Sequence, residues 1–210
     1  MQLITPRKAQ HWSKTYNDIT ANCLLFSAKN DLSYFFYGYG WYLRIMDFKT
    51  AEQSQITLSE LMLPSHSNFS GKIHGGHILN LMDQVVFACA SKHSGHYCVT
   101  ASVNRVDFLH PVEVGEILTL RASVNFTGRT SMVVGVRVES ENIQTGTVNH
   151  CNSSYFTMVA KDKNGNNATV PGLILNDKED VRRYVRSIHR QEQRKHRDST
   201  FQSDTFEVKS

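Results

Sequence analysis

Residues 68–83 constrain this chain most, because they join a glycine-rich loop to the start of a helix. Gly75 and Gly76 carry no side chain that would block access to the first free backbone N–H groups of that helix. The apolar residues that follow recur at three- and four-residue spacing and predict a buried stripe, formed by Ile78, Leu79, Met82, Val85, Val86 and Cys89. The helix is therefore expected to run from Gly76 to about His93, with Gly95 as its stop.

Asp83 interrupts this apolar stripe. It lies seven residues beyond Gly76, which is about 10 Å along the helix axis at the usual rise per residue. A carboxylate among buried neighbours costs free energy unless it is paired or used chemically. The alternative is an exposed aspartate, since aspartates on helices are usually solvated. Asp83 is therefore a candidate functional group.

Alternating apolar and polar residues predict several consecutive strands. The strands with this pattern cover residues 56–62, 99–108, 118–126, 132–138 and 148–160. Within the second of them the apolar parity changes between Val103 and Val106, which predicts a bulge near Asn104 and Arg105. One long helix with consecutive antiparallel strands indicates an α+β domain.

The element order from Met46 onwards is β-α-β-β-β-β, followed by a C-terminal helix. That helix is expected to begin after Asn176, with Glu179 in a capping-box position. The expected divisions are an extension, a folded domain, a basic amphipathic helix and a tail, over residues 1–45, 46–172, 173–198 and 199–210. Two hypotheses stand for the aromatic-rich extension: translation starts at Met46, or the aromatic side chains dock on a partner or a membrane surface.

Five motifs occur in an order that resembles one protein family. The first, Asn-x-x-Gly-x-x-x-Gly-Gly-x-x-Leu-x-x-Met-Asp, is carried by Asn68, Gly71, Gly75, Gly76, Leu79, Met82 and Asp83. The others are Phe108-Leu-His-Pro-Val-Glu-Val-Gly115, Gly128-Arg-Thr-Ser131, Phe156-Thr-Met-Val-Ala160 and Val170-Pro-Gly-Leu173. Over about residues 50–190 the chain is similar to the hotdog-fold acyl-CoA thioesterases of the cytosolic acyl-CoA hydrolase group.

The resemblance implies a fold, an assembly and a substrate. The fold is a single hotdog domain, in which a curved antiparallel sheet wraps around a central helix. One unit leaves a sheet edge and the binding groove incomplete, so the family implies homodimers, commonly assembled as trimers of dimers. The implied substrate is acyl-CoA, hydrolysed to free fatty acid and CoA. No cofactor is expected, because CoA is part of the substrate.

The implied catalytic residues are Asn68 and Asp83. Asp83 would act as the general base for water, or as a nucleophile that forms a transient anhydride. Asn68 would orient the water or the thioester carbonyl, since an amide both donates and accepts hydrogen bonds. The helix start at Gly75 and Gly76 would stabilise developing negative charge. The chain has no Gly-x-Ser-x-Gly motif, which argues against a serine-type hydrolase.

A second group of residues resembles the family's CoA-binding elements. The turn formed by Gly128, Arg129, Thr130 and Ser131 matches the CoA-contacting turn, in which an arginine fork and two hydroxyls suit a phosphate. Basic residues are also dense between positions 181 and 197. Among them, Arg182 and Arg183 are candidates for the 3′-phosphate of CoA, although a solvated basic helix face is an equal alternative.

Two rival functions are compatible with the same fold. A non-catalytic acyl-CoA sensor would bind the ligand without hydrolysis, but binding alone needs neither Asn68 nor Asp83. A hydratase would require a catalytic histidine paired with an aspartate, and His74 or His77 could supply the imidazole. The Met-Asp position in the helix favours hydrolysis over the hydratase.

Composition excludes several further classes. The net charge of +4 does not by itself indicate nucleic-acid binding, and no apolar run reaches the roughly 18 residues of a membrane helix. The four cysteines form no C-x-x-C pair, which is typical of a reducing compartment, so a cytoplasmic protein is expected. His93, His96 and Cys98 lie close in sequence but lack a matching second pair, so no metal is expected.

Overall fold

A computed structural model of this chain describes residues 48–203, with side chains up to residue 194. The hypotheses about residues 1–45 concern a part of the chain that lies outside the described residues, as do residues 204–210. The strands and helices, in chain order, are β1 (Phe48–Thr50), α1 (Ala51–Ser54), β2 (Ile56–Leu61), α2 (Gly75–Ser94), β3 (Tyr97–Val103), β4 (Glu116–Thr127), β5 (Ser131–Asn142), β6 (Thr147–Lys161), β7 (Gly172–Ile174) and α3 (Lys178–Ser203).

Five strands form one antiparallel sheet in the order β2-β4-β5-β6-β3. Its inner face carries the residues that the alternation predicted, among them Leu118, Leu120, Val134 and Val136, all buried. These side chains share one apolar core with the buried face of α2. The curved sheet around a long central helix confirms the expected hotdog fold. A separate parallel pair joins β1 to β7.

Helix α2 begins and ends close to the predicted bounds. Its C-cap is Gly95, with φ of +71°, a left-handed conformation that side chains with a Cβ rarely adopt. The Nζ of Lys49 donates to the carbonyl oxygens of His93 at 2.8 Å and Lys92 at 3.3 Å. A cation at the C-terminal end of a helix also opposes the negative end of the helix dipole.

The predicted bulge near Asn104 and Arg105 is wrong in position. Strand β3 ends at Val103, and its register against β6 shifts between Thr100 and Ser102 instead. The register shift therefore occurs earlier in the strand than the change of apolar parity in the sequence indicates. Residues beyond Val103 belong to the segment that leads to β4, which still contacts β6 through the N–H of Asn104 and the carbonyl of Tyr155 at 2.9 Å.

The start and end of α3 also differ from the prediction. The capping residue is Asp177, whose Oδ1 accepts from the backbone N–H of Asp180 at 2.8 Å, so Glu179 is not in the capping box. The helix runs from Lys178 to Ser203 and thus enters the stretch that was predicted to be a tail. None of the helices within residues 48–203 is long and apolar enough to cross a bilayer.

Strands β2 and β3 lie at the two edges of the main sheet. Among the strands that the structure describes, β3 pairs with β6 alone, and its outer residues are open to solvent, with Tyr97 63% exposed and Val103 45% exposed. A strand with one unpaired edge can accept a further strand from another chain. In this protein that edge lies directly beside α2, which carries Asp83.

Candidate active site

Asp83 is held by a hydroxyl from the neighbouring strand. The Oγ1 of Thr100 in β3 donates to Oδ1 of Asp83 over 2.6 Å, which is a short distance typical of a hydrogen bond to a carboxylate. Within residues 48–194 the second oxygen of Asp83 receives no hydrogen bond. One carboxylate oxygen is therefore fixed in place while the other is available. The sequence pattern did not single out Thr100, since threonine is common in strands.

Asp83 is exposed in the single chain, in contrast to the prediction of buried neighbours. It shares a helix face with Leu79 and Phe87, which are each 37% exposed, because residues four positions apart lie above one another on a helix. Phe87 contacts Tyr97 of the β3 edge with ring centroids 5.5 Å apart. The carboxylate therefore sits within a partly apolar surface.

The N-terminal end of α2 leaves backbone donors available. His74 is the N-cap and makes no capping hydrogen bond with its side chain. Among the described residues, the N–H groups of Gly75 and Gly76 have no acceptor, so this helix start can receive an anion or a polarised carbonyl.

The two glycines differ in what surrounds them. A Cβ on Gly75 would lie 3.3 Å from the ring of Phe108, so this ring covers the residue. A Cβ on Gly76 would meet only Nδ1 of His74 at 3.7 Å, an ordinary contact. The fold of the single chain therefore gives no steric reason for glycine at position 76.

Asn68 organises the loop that precedes the helix. Its Oδ1 accepts from the backbone N–H of Ser70 at 2.9 Å, the Ser70 hydroxyl at 2.7 Å and the backbone N–H of Lys72 at 3.2 Å. The side-chain NH₂ donates no hydrogen bond within the described part of the chain. Asn68 is thus a turn residue through its oxygen, and only its amide nitrogen is left for a ligand. No hydrogen bond joins it to Asp83 of the same chain.

The turn between β4 and β5 has an anchored backbone and a free arginine. The carbonyl of Thr130 accepts from the N–H of Ala160 at 3.0 Å, and the carbonyl of Arg129 accepts from the N–H of Val170 at 3.1 Å. The turn itself closes through the N–H of Gly128 and the carbonyl of Ser131 at 2.8 Å. The exposed guanidinium of Arg129 has no partner among the described side chains, so it is available to an external anion.

The other two candidate arginines are already paired. Nε of Arg182 donates to Glu179 at 2.6 Å, and Nε of Arg183 donates to the same carboxylate at 3.0 Å. These arginines hold the pKa of Glu179 at about 2. A phosphate at either arginine would have to compete with this exposed carboxylate.

Of the three possible metal donors near the end of α2, His93 and Cys98 are buried, whereas His96 is exposed. His93 is buried and bonds through Nδ1 to the Ser54 hydroxyl at 3.0 Å. It does not join His96 and Cys98 in a group of metal donors; the donor group that the structure assembles within the described chain consists of Glu60, His66 and His77.

The described cysteines are not suited to nucleophilic catalysis. Cys89, Cys98 and Cys151 are free and buried, and burial raises the pKa of Cys89 to about 12. Burial also raises the pKa values of the other two thiols. A buried, protonated thiol is a poor nucleophile. The reducing, cytoplasmic location inferred from the cysteine pattern stays a prediction.

Comparison with known proteins identifies the class. The sequence model of the thioesterase superfamily matches residues 70–147. The Helicobacter pylori protein VdlD is 40% identical over 145 residues, which cover 69% of this chain and 83% of that protein. A crystal structure of an apo, hexameric acyl-CoA thioesterase is 38% identical and superposes with a TM-score of 0.71, covering 72% of this chain and 97% of the other.

An acyl-CoA hydrolase from Staphylococcus aureus is also similar. Its structure in complex with coenzyme A, solved for a variant with one asparagine replaced by alanine, is 29% identical with a TM-score of 0.70 and covers 75% of this chain and 94% of that chain. Further structures of that protein carry an aspartate-to-alanine and a threonine-to-alanine change. The three altered residues are separated by 15 and 17 positions.

The fold and the helix-borne carboxylate thus define a hotdog protein of the thioesterase superfamily. Within that superfamily, the chain belongs to the acyl-CoA thioester hydrolases. The family resemblance predicted from its five motifs is confirmed.

Proposed function

We propose that this protein hydrolyses acyl-CoA to a free fatty acid and CoA at a site built from Asp83, Thr100 and Asn68. The hydrogen bond from Thr100 to Asp83 carries the proposal, because it fixes a solvent-accessible carboxylate in one orientation, two turns along a helix whose start has free donors. A binding protein would not need this arrangement. The proposal therefore favours an enzyme over a non-catalytic acyl-CoA sensor.

The spacing of these residues supports the assignment. Asn68, Asp83 and Thr100 are separated by 15 and 17 positions, the same intervals as the asparagine, aspartate and threonine that were replaced in the S. aureus hydrolase. Residue type and interval agree at all three positions. The agreement supports a role for Thr100 that the sequence motifs alone did not indicate.

In the proposed reaction, water attacks the thioester carbonyl carbon while the free oxygen of Asp83 accepts its proton. The carbonyl oxygen gains negative charge, which the N–H groups of Gly75 and Gly76 and the helix dipole would stabilise. The C–S bond then breaks, and the leaving thiolate takes the proton back from Asp83. In the alternative route, Asp83 attacks the carbonyl directly and water opens the resulting anhydride. The amide NH₂ of Asn68 would orient water or the carbonyl by donation.

Oxygen-labelled water tests for one form of the anhydride route. If water opens the anhydride at the Asp83 carbonyl, a single turnover leaves the label on Asp83 and none in the product. Label in Asp83 would therefore show direct attack by the carboxylate, because general-base catalysis places the water oxygen only in the product. A labelled product with an unlabelled Asp83 excludes this opening and is expected both for general-base catalysis and for an anhydride opened at the acyl carbon.

We further propose that Arg129 binds the phosphates of CoA. Thr100 pairs with Met158, which in turn pairs with Met132 next to the turn. Two strand spacings separate Thr100 from Met132, which is about 10 Å. The free guanidinium thus belongs to the same end of the sheet as the carboxylate, and its fork geometry suits phosphate. Arg182 and Arg183 are weaker candidates, because both are paired with Glu179.

The proposed active unit is a homodimer. Leu79, Phe87 and Tyr97 expose apolar surface around Asp83, and no strand within residues 48–203 pairs with the β3 edge beside them. A second copy that joins its own β3 edge would cover this surface. The hexameric assembly of the similar acyl-CoA thioesterase supports a trimer of such dimers.

Release of free thiol from purified protein tests the function directly. Short, medium and long acyl-CoA esters should yield thiol catalytically, and Asp83→Asn should not. The buried cysteines at positions 89, 98 and 151 should add little background as long as the protein stays folded. Saturable acyl-CoA binding without thiol release for any chain length would support the sensor instead.

A further inference from the structure

The chain brings Glu60, His66 and His77 together beside the Asn68 loop. Oε1 of Glu60 lies 3.2 Å from Nε2 of His77 and 3.9 Å from Nδ1 of His66. The two imidazole rings stack with centroids 3.9 Å apart. One donor atom from each residue lies within 4.8 Å of the other two. We propose that these three side chains form a site for a divalent cation of the zinc type.

The donor set and its spacing both fit such an ion. Two imidazoles and one carboxylate are a known combination for zinc, with bonds of about 2.0–2.1 Å. Ligand atoms at that distance from a tetrahedral ion lie about 3.3 Å from one another. The pair Glu60 and His77 already has this separation, whereas Nδ1 of His66, at 3.9 Å from the same oxygen, would have to move roughly 0.6 Å closer. The stacked rings would also have to turn so that both nitrogens point at the ion. The side chains are 20–33% exposed, so a water molecule can complete the coordination.

The three ligands belong to separate elements, and a common ion would link them. Glu60 is in β2, His66 ends the 3-10 turn Pro64–His66, and His77 is in the first turn of α2. The carbonyl of His66 also accepts the N–H of His74 at 2.9 Å. The cation would therefore fasten both ends of the loop that carries Asn68.

The hydrogen bonds within this cluster are long, with Nε2 of His77 lying 3.2 Å from Oε1 of Glu60. Glu60 can pair with His77 without His66, and two stacked imidazoles would repel each other if both were protonated. The bond that a metal would displace is weak, because Nδ1 of His66 accepts the Leu63 N–H over a long 3.3 Å. Neither histidine contacts Asp83, so the cluster is not the imidazole–aspartate pair of a hydratase.

Titration with Zn²⁺ after removal of metals by a chelator tests the site. Calorimetry on the full chain should give one strong equivalent per chain, and Co²⁺ should produce the visible absorption of a low-symmetry imidazole–carboxylate site. His66→Asn, His77→Asn and Glu60→Gln should each weaken Zn²⁺ binding by about 10-fold or more, since even residues behind metal ligands cost that much. His189→Asn, an exposed histidine on α3, is the matched control and should bind like the unaltered protein.

Thermal melting separates ligand loss from misfolding. With chelator present, the variants should melt at the same temperature as the unaltered protein. Zn²⁺ at 100-fold excess over Kd should raise the melting temperature of the unaltered protein by about 5–10 °C, and the shift should vanish in the three variants. Absence of Zn²⁺ binding by the unaltered protein, or equal binding by all variants, overturns the proposal whatever the thioesterase assay gives.

Discussion

Thr100 and Asp83 meet across the gap between β3 and α2, where the threonine hydroxyl donates to the aspartate carboxylate over 2.6 Å. This contact holds the carboxylate in one rotamer at the exposed face of the helix. Strand β3, which carries Thr100, forms an edge of the sheet. A second chain that joins this edge would also enclose the site. In the proposed dimer, the geometry of the site and the assembly would therefore both depend on β3.

Asp83→Asn should lower kcat by about 100-fold or more, the usual contribution of a general base. The substitution keeps the side-chain volume, and the residue is exposed in the single chain, so the melting temperature should change little. Thiol release measures the loss, and thermal melting checks the fold. Normal turnover by the folded variant would refute the mechanism.

Thr100→Val keeps the shape of the side chain but removes the hydroxyl. We expect kcat to fall about 10- to 150-fold, because hydrogen bonds to charged groups contribute about 1.5–3 kcal/mol. Thr100→Ser retains the donor and should recover most of the activity. If valine and serine variants have equal rates, the hydrogen bond to Asp83 does not support catalysis.

Gly76→Ala should show whether glycine at this position is needed for substrate binding or for the stability of the fold. The added methyl group meets only His74 in the single chain, so stability should be kept. If substrate approaches the free N–H groups here, the added methyl group would hold its carbonyl away from them, and kcat/KM should fall by up to about 100-fold, the lower end of the loss for an oxyanion donor. Asn80→Ala, one turn further along, is the control for altered helix propensity. Unchanged kinetics for Gly76→Ala would place substrate elsewhere.

Arg129→Ala should raise KM for CoA esters about 10-fold, because a charged hydrogen bond is lost equally in the ground and transition states. A short thioester without CoA should be hydrolysed as before. Arg121→Ala removes an exposed arginine that is paired with Glu139 and serves as the control. Equal losses on both substrates would indicate that Arg129 supports the fold.

Mixed dimers test whether the site is shared between chains. If Asn68 of one chain faces Asp83 of the other, a heterodimer of Asn68→Ala and Asp83→Asn chains has one intact site and one doubly altered site. Isolated heterodimers should then recover about half of the unaltered activity, whereas both parent homodimers stay inactive. Heterodimers as inactive as their parents would show that the two residues do not act across the interface.

The sequence determined the regular elements because their signals are local and periodic. The stripe at three- and four-residue spacing located α2, and Gly95 marked its end. Period-two alternation located β4, β5 and β6, since one face of each strand packs against the same core. The sequence also identified Gly75, Gly76 and Asp83 as candidate site residues, because their proposed roles depend on their positions within one helix.

Only the tertiary structure decided which distant side chains meet. Thr100 reaches Asp83 because β3 takes a particular register beside α2, and no periodic pattern encodes that pairing. The cluster of Glu60, His66 and His77 likewise arises where a strand, a turn and a helix converge. Such contacts depend on packing between elements, and the residue types concerned are ordinary at surface positions. These contacts form only when the sheet curves around the helix.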